Sequence, residues 1–197
     1  MNITVLGATG MAGAAIAQEA TRRGHHVTSV SRNPPETNDP HTTVARLDLT
    51  DLEAPLQPVL NDADAVVLAV RMAPGDESSV APLTSHVLDH AAVAGVRVLV
   101  VGGAAPLRSP HDRELRVLDD PTFVPPQWRD VASASLDQFN ACTEHPNQNW
   151  TYLSPSAVFE PGQGTGAYRR SGDTLLINHD GTSRITPADL ALRSEEH

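Results

Sequence analysis

The sequence predicts an α/β fold in which helices cover both faces of a doubly wound, mainly parallel sheet. Two observations predict it. A short apolar strand over residues 2–6 leads through a glycine-rich turn into a helix over 11–23. Strand-like and helix-like segments then alternate four times, the pattern of parallel strands joined by right-handed crossovers. We therefore expect one Rossmann-type domain over residues 1–197, without an internal repeat or a linker.

Each element has its own local signal. The first helix closes on Arg22, Arg23 and Gly24, a basic last turn followed by a glycine stop. The last helix starts at Thr186-Pro187-Ala188-Asp189, an N-cap threonine with proline at the first helical position and an acid in the first turn. Strands are predicted at 2–6, 26–31, 43–49, 65–70, 96–101 and 150–154, and helices at 11–23, 51–62, 78–95 and 126–144.

Two segments break the alternation. Residues 104–127 contain five prolines and mixed charge, which predicts a long loop at the carboxyl ends of the strands. Residues 155–181 contain five glycines and two prolines, and we expect a short hairpin there.

Composition excludes several classes of function. The formal net charge is −10, so the overall field should repel nucleic acid and anionic membranes, and neither is expected as a partner. No run reaches the ~20 apolar residues that span a bilayer, and no leader pattern precedes the first strand, which favours a cytoplasmic protein. We expect a monomer or a small homo-oligomer. All 14 basic residues are arginine, which excludes mechanisms that need a lysine amine.

The glycine turn is the main candidate binding site. Gly7 permits the tight turn, Gly10 lets the backbone approach a phosphate, and Gly13 lets the helix pack on the strand. The backbone N–H groups of residues 11–13 and the positive end of the helix dipole would bind a pyrophosphate without a lysine. The turn therefore predicts a dinucleotide.

The end of the second predicted strand indicates which dinucleotide the glycine turn would bind. NAD-specific folds place an acid here for the ribose 2′-hydroxyl, whereas this chain has Ser31-Arg32-Asn33. Arg32 suits a 2′-phosphate, which favours NADP(H) over NAD(H). Asp48, at the end of the third predicted strand, would either contact adenine or cap the helix predicted from residue 51.

The chain resembles the atypical short-chain dehydrogenases/reductases, and within them the NAD(P)H-binding group of candidate NADH-flavin reductases, NmrA-like proteins and biliverdin-IXβ/flavin reductase. The motifs that carry the resemblance are Gly7-Ala8-Thr9-Gly10-Met11-Ala12-Gly13, Ser31-Arg32-Asn33-Pro34, Leu47-Asp48-Leu49-Thr50-Asp51, Val100-Val101-Gly102-Gly103-Ala104, Trp150-Thr151-Tyr152-Leu153-Ser154-Pro155, Glu160-Pro161-Gly162, Thr165-Gly166-Ala167-Tyr168 and Ser183-Arg184-Ile185-Thr186-Pro187-Ala188-Asp189. They cover nearly the whole chain, and Thr165-Gly166-Ala167-Tyr168 and Ser183-Arg184-Ile185 are more specific to the group than the glycine motif is.

The resemblance implies the cofactor contacts. They would fall on Gly7, Thr9, Gly10, Met11, Ala12, Gly13, Arg32, Asp48, Leu49, Ala69, Val70, Arg71, Gly102, Gly103, Ser154 and Pro155. The sequence departs from the group in two respects. It is expected to fall short of the last helix and strand of the group, and Gly102-Gly103-Ala104-Ala105 replaces the serine that follows the fifth strand in the flavin reductases.

The chemistry left to this chain is limited. The usual dehydrogenase of the superfamily uses a tyrosine whose pKa a nearby lysine lowers, but this chain has no lysine, and Tyr152 and Tyr168 lie outside the 126–144 helix. Hydride transfer to a flavin or quinone needs no strong protein acid, because the ring delocalises the charge and water supplies the proton. No catalytic residue is assigned.

The leading hypothesis is therefore an NADPH-dependent reductase of a flavin or quinone-like small molecule, which would bind between the loops 104–127 and 155–183. The alternative is a non-catalytic, NmrA-like NADP(H) sensor. A pocket beside the nicotinamide wide enough for a tricyclic ring would distinguish the two.

The remaining reactive side chains have structural interpretations as well. His86 and His90, four residues apart on a predicted helix, would be either metal ligands or part of a solvated face, and no third ligand is apparent, so no metal is assigned. His111 would either contact the substrate or lie in a solvated loop. Cys142, the one cysteine, is expected to be a buried structural thiol.

Overall fold

The structure, a computed structural model that describes residues 1–194, consists of eight strands and five helices in that part of the chain. The strands are β1 (Asn2–Leu6), β2 (His26–Ser31), β3 (Thr42–Arg46), β4 (Ala65–Leu68), β5 (Arg97–Val101), β6 (Trp150–Leu153), β7 (Val158–Phe159) and β8 (Arg184–Ile185). The helices are α1 (Met11–Arg22), α2 (Gln57–Leu60), α3 (Val80–Ala94), α4 (Arg129–Glu144) and α5 (Pro187–Ser194).

Six of the strands form one parallel sheet in the order β3-β2-β1-β4-β5-β6. The strand order reverses between β1 and β4, which is the topological switch point at which doubly wound sheets bind their ligands. The predicted fold class, a Rossmann-type parallel sheet, is confirmed.

Helices cover both faces of this sheet, because alternate residues of each central strand point in opposite directions. Val5 packs with Ile16 of α1 and Leu190 of α5 on one face. Its neighbour Leu6 packs with Leu83 of α3 on the other face. Two apolar cores therefore hold the sheet between helix layers, and the carboxyl ends of the strands stay open for a site.

Two predicted elements are shorter than expected. The third strand ends at Arg46, before residue 49, because the chain turns at Asp48, whose carboxylate accepts the backbone N–H of Thr50 at 3.0 Å. The helix predicted over 51–62 is reduced to α2. A proline fits only the first turn of a helix, and Pro58 occupies that position in α2.

The hairpin predicted over residues 155–181 is wrong. Instead, β7, inside that segment, pairs in parallel with β8, which follows it, and Val158 lies opposite Arg184. Asp189 accepts the backbone N–H groups of Thr165 and Gly166 at 2.8 and 2.9 Å, so the segment is attached to α5. The N-cap predicted at Thr186 is confirmed, since its Oγ accepts the Asp189 N–H at 3.2 Å.

Glu19 of α1 carries a prediction about acid stability. Its carboxylate accepts hydrogen bonds from Arg22 and Arg23, each at 2.7 Å. The bonds from Arg22 are the largest cause that lowers the pKa of Glu19 from 4.5 to about 2, although burial opposes them. The lowered pKa means that this stabilisation is complete above about pH 4.5 and is lost as the pH falls towards about 2.

We expect Glu19→Gln to lower the free energy of unfolding by about 1 kcal/mol at neutral pH, a figure that allows for screening of the exposed arginines. Urea denaturation of both proteins measures it, with Glu144→Gln on the exposed end of α4 as the control. The difference between parent and Glu19→Gln should shrink as the pH falls from about 4.5 to about 2. If the difference in the free energy of unfolding grows as the pH falls over this interval, the lowered pKa of Glu19 is contradicted.

Candidate functional site

The predicted site residues lie together along the carboxyl edge of the main sheet. Each group follows the end of a strand: the glycine turn follows β1, Arg32 follows β2, Asp48 and Leu49 follow β3, residues 69–71 follow β4, Gly102 and Gly103 follow β5, and Ser154 and Pro155 follow β6. Because all six strands are parallel, these turns share one edge. The order of the strands puts Asp48 at one end of the edge and Pro155 at the other.

The glycine turn packs too tightly for side chains. Gly7 has φ +89°, and a Cβ there would lie 2.5 Å from the carbonyl oxygen of Ala69. A Cβ on Gly13 would lie 2.3 Å from the carbonyl oxygen of Gly7. The Val30 carbonyl accepts the N–H groups of Gly7 and Ala8 at 2.9 and 3.1 Å, which joins the turn to the end of β2. The backbone of this turn is therefore fixed in position.

Helix α1 presents its first N–H groups at this turn. Gly10 is the N-cap and offers no side-chain cap, so Met11, Ala12 and Gly13 have N–H groups that no preceding turn of helix satisfies. Thr9, Gly10 and Met11 are exposed. A pyrophosphate would satisfy these donors and interact favourably with the helix dipole. The residues present fit the diphosphate of a dinucleotide.

The end of β2 adds polar groups beside the turn. Ser31 Oγ is buried and has no hydrogen-bond partner within the described residues, and Arg32, next to it, is exposed. Ser31 ends β2, where NAD-specific folds carry an acid. The sequence does not indicate this buried hydroxyl, because a serine in a β-strand carries no signal until its burial is known.

Asp48 does not cap a helix, so that alternative is wrong. No helix begins at residue 51, and the carboxylate instead accepts the Thr50 N–H at 3.0 Å and the Thr50 hydroxyl at 2.8 Å. These bonds lower the pKa of Asp48, and the nearby Arg32 guanidinium lowers it further. Contact with adenine stays a prediction. The side chain of Leu49 is buried in the core, which leaves only its backbone for a ligand.

The turns after β4 and β5 form the middle of the edge. Gly102 donates its N–H to the Leu153 carbonyl at 3.1 Å, which joins the ends of β5 and β6. A Cβ on Gly102 would lie 1.9 Å from the phenol oxygen of Tyr152, and a Cβ on Gly103 would lie 2.8 Å from Ser135 of α4. Because these glycines have no side chain, Tyr152 and α4 can pack against them, and their backbone forms the base of the site.

Tyr152 is held as a structural residue. Its hydroxyl donates to the Ser135 carbonyl at 2.8 Å and receives the Gly103 N–H at 3.4 Å. Its ring meets Phe139 edge to face, with centroids 5.1 Å apart. Burial raises the pKa of Tyr152 well above its usual value. A phenol in this state is a poor proton donor, which disfavours Tyr152 as a catalytic acid.

A cavity of about 320 Å³ opens between the two segments expected to hold the acceptor. Its walls come from the loop after β5, from α4, from β6 and the turn after it, and from the segment before β8. The lining residues are Pro106, Leu107, Phe139, Thr151, Tyr152, Leu153, Ser154, Pro155, Ser156, Tyr168, Arg169, Arg170, Ser171, Gly172, Asp173, Thr174, Leu175, Leu176, Ile185 and Leu190. The volume lies at the lower end of the range of roughly 300–1,000 Å³ for ligand pockets.

Hydrogen bonds join the two loops around this cavity. The backbone N–H of Arg108 donates to the Asp173 carbonyl at 2.7 Å, and the Arg108 carbonyl accepts the Leu175 N–H at 2.9 Å. Arg108 also pairs with Arg116 in an isolated antiparallel bridge. The loops 104–127 and 155–183 thus form one wall of the cavity. The sequence predicts that both loops lie here, but it does not predict the hydrogen bonds between them.

A second cavity, of about 450 Å³, lies at the opposite edge of the sheet. Its walls include Asp89, Val96, His145 and Asn149, at the amino ends of β5 and β6. His145 Nε2 lies 3.2 Å from an Asp89 carboxylate oxygen, and His145 Nδ1 accepts the Asn147 N–H at 3.0 Å. Ligands of doubly wound sheets bind at the carboxyl ends, so this cavity is not the dinucleotide site.

The other reactive groups have structural surroundings. His86 and His90 share a helix face, with ring centroids 4.5 Å apart, and His90 Nδ1 lies 2.7 Å from Gln57 Oε1. Both side chains are half-buried, so the face is only partly solvated. Over residues 1–194 no cluster of three or more His, Cys, Asp or Glu residues has the geometry of a metal site. Burial raises the pKa of Cys142 to about 12, which confirms a buried thiol.

His111 stacks on the ring of Phe123, with centroids 5.5 Å apart, and is exposed. It is not among the residues that line the 320 Å³ cavity. Within the described residues, no helix has the length and apolar character needed to cross a bilayer.

Comparison with known proteins identifies the family of this chain. The profile of the NAD(P)H-binding family matches residues 7–195. The uncharacterized protein YwnB of Bacillus subtilis is 34% identical over 98% of this chain and 89% of its own length. A candidate NADH-flavin reductase from Streptococcus pneumoniae is 30% identical, with a TM-score of 0.88 over 100% of this chain and 91% of that one.

A second solved structure, a candidate epimerase from Bacteroides thetaiotaomicron, is 30% identical, with a TM-score of 0.87 over 99% of this chain and 89% of that one. The family match begins at Gly7, the first residue of the turn that fits a diphosphate, and includes all the residues that line the 320 Å³ cavity. The chain therefore belongs to the NAD(P)H-binding family.

Proposed function

We propose that this protein is an NADPH-dependent reductase that passes a hydride to a flavin or quinone-like acceptor. The observation that carries the proposal is the acceptor cavity, which lies at the same sheet edge as the glycine turn and is lined by aromatic and apolar groups. The similarity to a candidate NADH-flavin reductase supports the same reaction class.

The protein's part in this reaction is to bind and orient two rings. Hydride transfer carries two electrons and one hydrogen from NADPH to the oxidised acceptor, and water supplies the proton that completes the reduced ring. The exposed N–H groups of α1 would hold the diphosphate, and the backbone of Gly102 and Gly103 would face the nicotinamide half. The half-buried Tyr152, whose hydroxyl is bonded to the Ser135 carbonyl, is not assigned a role in proton transfer.

Stopped-flow oxidation of NADPH with and without FMN, FAD, riboflavin and a simple quinone tests the proposal. We expect oxidation to accelerate with at least one of these acceptors. If NADPH binds but no acceptor is reduced, the proposal fails and the sensor function is favoured.

Arg32 should determine the preference for the phosphorylated cofactor. We expect NADPH to bind at least several-fold more tightly than NADH, because a guanidinium forms strong, charge-assisted hydrogen bonds with a 2′-phosphate. Arg32→Ala should narrow this gap, as measured by calorimetry. Arg97→Ala, at the opposite edge of the sheet, is the matched control and should leave the gap unchanged. Equal affinities for NADPH and NADH in the parent protein would exclude this role.

The tyrosines should be dispensable for proton transfer. We expect Tyr152→Phe and Tyr168→Phe each to change the rate of hydride transfer by less than about tenfold, because general acid catalysis contributes roughly a hundredfold or more. A ring stacked on the acceptor would survive the change to phenylalanine. A rate several hundredfold lower at saturating acceptor, with unchanged NADPH affinity, would instead identify a phenol as the proton donor.

A further inference from the structure

The acceptor cavity has a positively charged wall in an acidic protein. Arg169 and Arg170 are adjacent in its lining, and Asp173 is the one acidic residue that lines it within the described chain. That carboxylate already pairs with Arg113, at 3.2 Å. Among the lining residues the two arginines therefore outnumber the one aspartate, although the chain as a whole carries a formal net charge of −10.

The segment that carries this charge is held in place from two sides. On one side, the buried Asp189 accepts the N–H groups of Thr165 and Gly166 and the hydroxyl of Thr165, at 2.8, 2.9 and 3.1 Å. Burial raises the pKa of Asp189, but the hydrogen bonds from Thr165, Thr186 and Gly166 outweigh it and lower the pKa overall, so the carboxylate stays ionised.

On the other side, Arg169 donates from Nη2 to the Ile177 carbonyl at 2.9 Å and to Asn178 Oδ1 at 3.0 Å. The backbone bonds between Arg108 and residues 173–175 complete the attachment. An arginine fixed in this way loses less conformational entropy when it binds an anion than a freely rotating side chain does.

The size and the walls of the cavity limit what can enter it. About 320 Å³ suits one ring system, and the second nucleotide of a dinucleotide would stay outside. Phe139, Tyr152 and Tyr168 line the same space as the two arginines, so an aromatic ring and an anionic substituent would each find a partner.

We propose that the acceptor of this enzyme is a planar ring with an anionic substituent, such as a flavin phosphate, and that Arg169 and Arg170 bind that substituent. This inference rests on the proposed function. It predicts that the enzyme prefers FMN to riboflavin, whereas the proposed function alone predicts no preference between these two flavins.

Pairs of acceptors that differ only in an anionic group test it. The pairs are FMN with riboflavin, and a naphthoquinone sulfonate with menadione, each at saturating NADPH. We expect the KM of the anionic member to be about tenfold lower, the size of one charge-assisted hydrogen bond. If only FMN is favoured, the wall selects phosphate; if both anionic members are favoured, it selects negative charge. Equal KM values within both pairs would overturn the inference.

Substitutions assign the effect to the two arginines. Arg169→Gln and Arg170→Gln should each raise the KM for FMN and leave the KM for riboflavin and the affinity for NADPH unchanged. Because Arg169 also holds its own segment, Arg169→Lys provides a charge-conserving check and should keep most of the preference. Arg97→Gln, at the other edge of the sheet, is the matched control. If the glutamine variants raise the KM for riboflavin equally, the arginines serve the shape of the cavity and not its charge.

A binding measurement separates this inference from the proposed function. Quenching of flavin fluorescence in the presence of NADP⁺ reports the affinities for FMN and riboflavin without any turnover. Tighter binding of FMN that is lost in Arg170→Gln supports the charged wall even if the parent protein reduces no acceptor. Equal affinities for FMN and riboflavin overturn the inference even if both are reduced.

Discussion

Gly13→Ala is expected to weaken NADPH binding by about a hundredfold, because it would displace N–H donors that hold the diphosphate, and a hydrogen bond to a charged group contributes roughly 1.5–3 kcal/mol. The added Cβ would lie 2.3 Å from the Gly7 carbonyl oxygen and 2.9 Å from its carbon, and both are backbone atoms that cannot rotate away. Helix α1 must therefore move relative to β1, and its first N–H groups move with it. Overpacking should also lower the free energy of unfolding by about 1–3 kcal/mol.

Calorimetric titration with NADPH at a temperature at which both proteins are folded measures the effect. Ala14→Ser adds one atom to the exposed face of the same helix and should leave the affinity within a few-fold of the parent value. An unchanged NADPH affinity in Gly13→Ala would mean that the cofactor does not bind at this turn.

Gly102→Ala is expected to destabilise the fold by overpacking the turn after β5. Its Cβ would lie 1.9 Å from the phenol oxygen of Tyr152 and 2.0 Å from the ring carbon that carries it. We expect a loss of about 2–3 kcal/mol in the free energy of unfolding, the upper range for overpacking. Removing the ring should relieve the clash, so Gly102→Ala combined with Tyr152→Val should lose less than the sum of the single variants, by about 1 kcal/mol or more.

Urea denaturation of the four proteins in this cycle measures the coupling. Gly172→Ala, at a glycine with open space around it, is the control for adding a methyl group and should stay close to the parent stability. Additive losses would show that Tyr152 does not pack against the β5 turn, and its assignment as a structural residue would then fail.

The parts of the fold that the sequence predicted well are those with a strong local pattern. The run from β1 through Gly7, Gly10 and Gly13 combines a buried strand, a required glycine turn and a helix start, so its location and its geometry were both predictable. The helix start at Thr186 was predictable for the same reason, since threonine, proline and aspartate each have a definite role at a helix N-terminus.

The parts that the sequence predicted poorly depend on contacts between distant residues. The segment over 155–181 is rich in turn residues, which are compatible with a hairpin, but its path is set by Asp189, which follows it in the sequence. The sequence allowed two interpretations of Asp48, a contact with adenine or a helix cap. The structure excludes the cap, because the carboxylate instead accepts the Thr50 N–H. The buried hydroxyl of Ser31 and the two arginines of the cavity wall have no periodicity or spacing that marks them.

A single-turnover experiment with NADPH deuterated at the transferred position tests the central claim most directly. The protein is mixed with this NADPH and an oxidised acceptor, either FMN or a naphthoquinone sulfonate, and the oxidation of NADPH and the reduction of the acceptor are followed together by stopped flow. We expect both signals to change at one rate, and that rate to fall when deuterium replaces hydrogen, because the hydride passes directly from one ring to the other. Binding of NADPH without oxidation by either acceptor would contradict the claim.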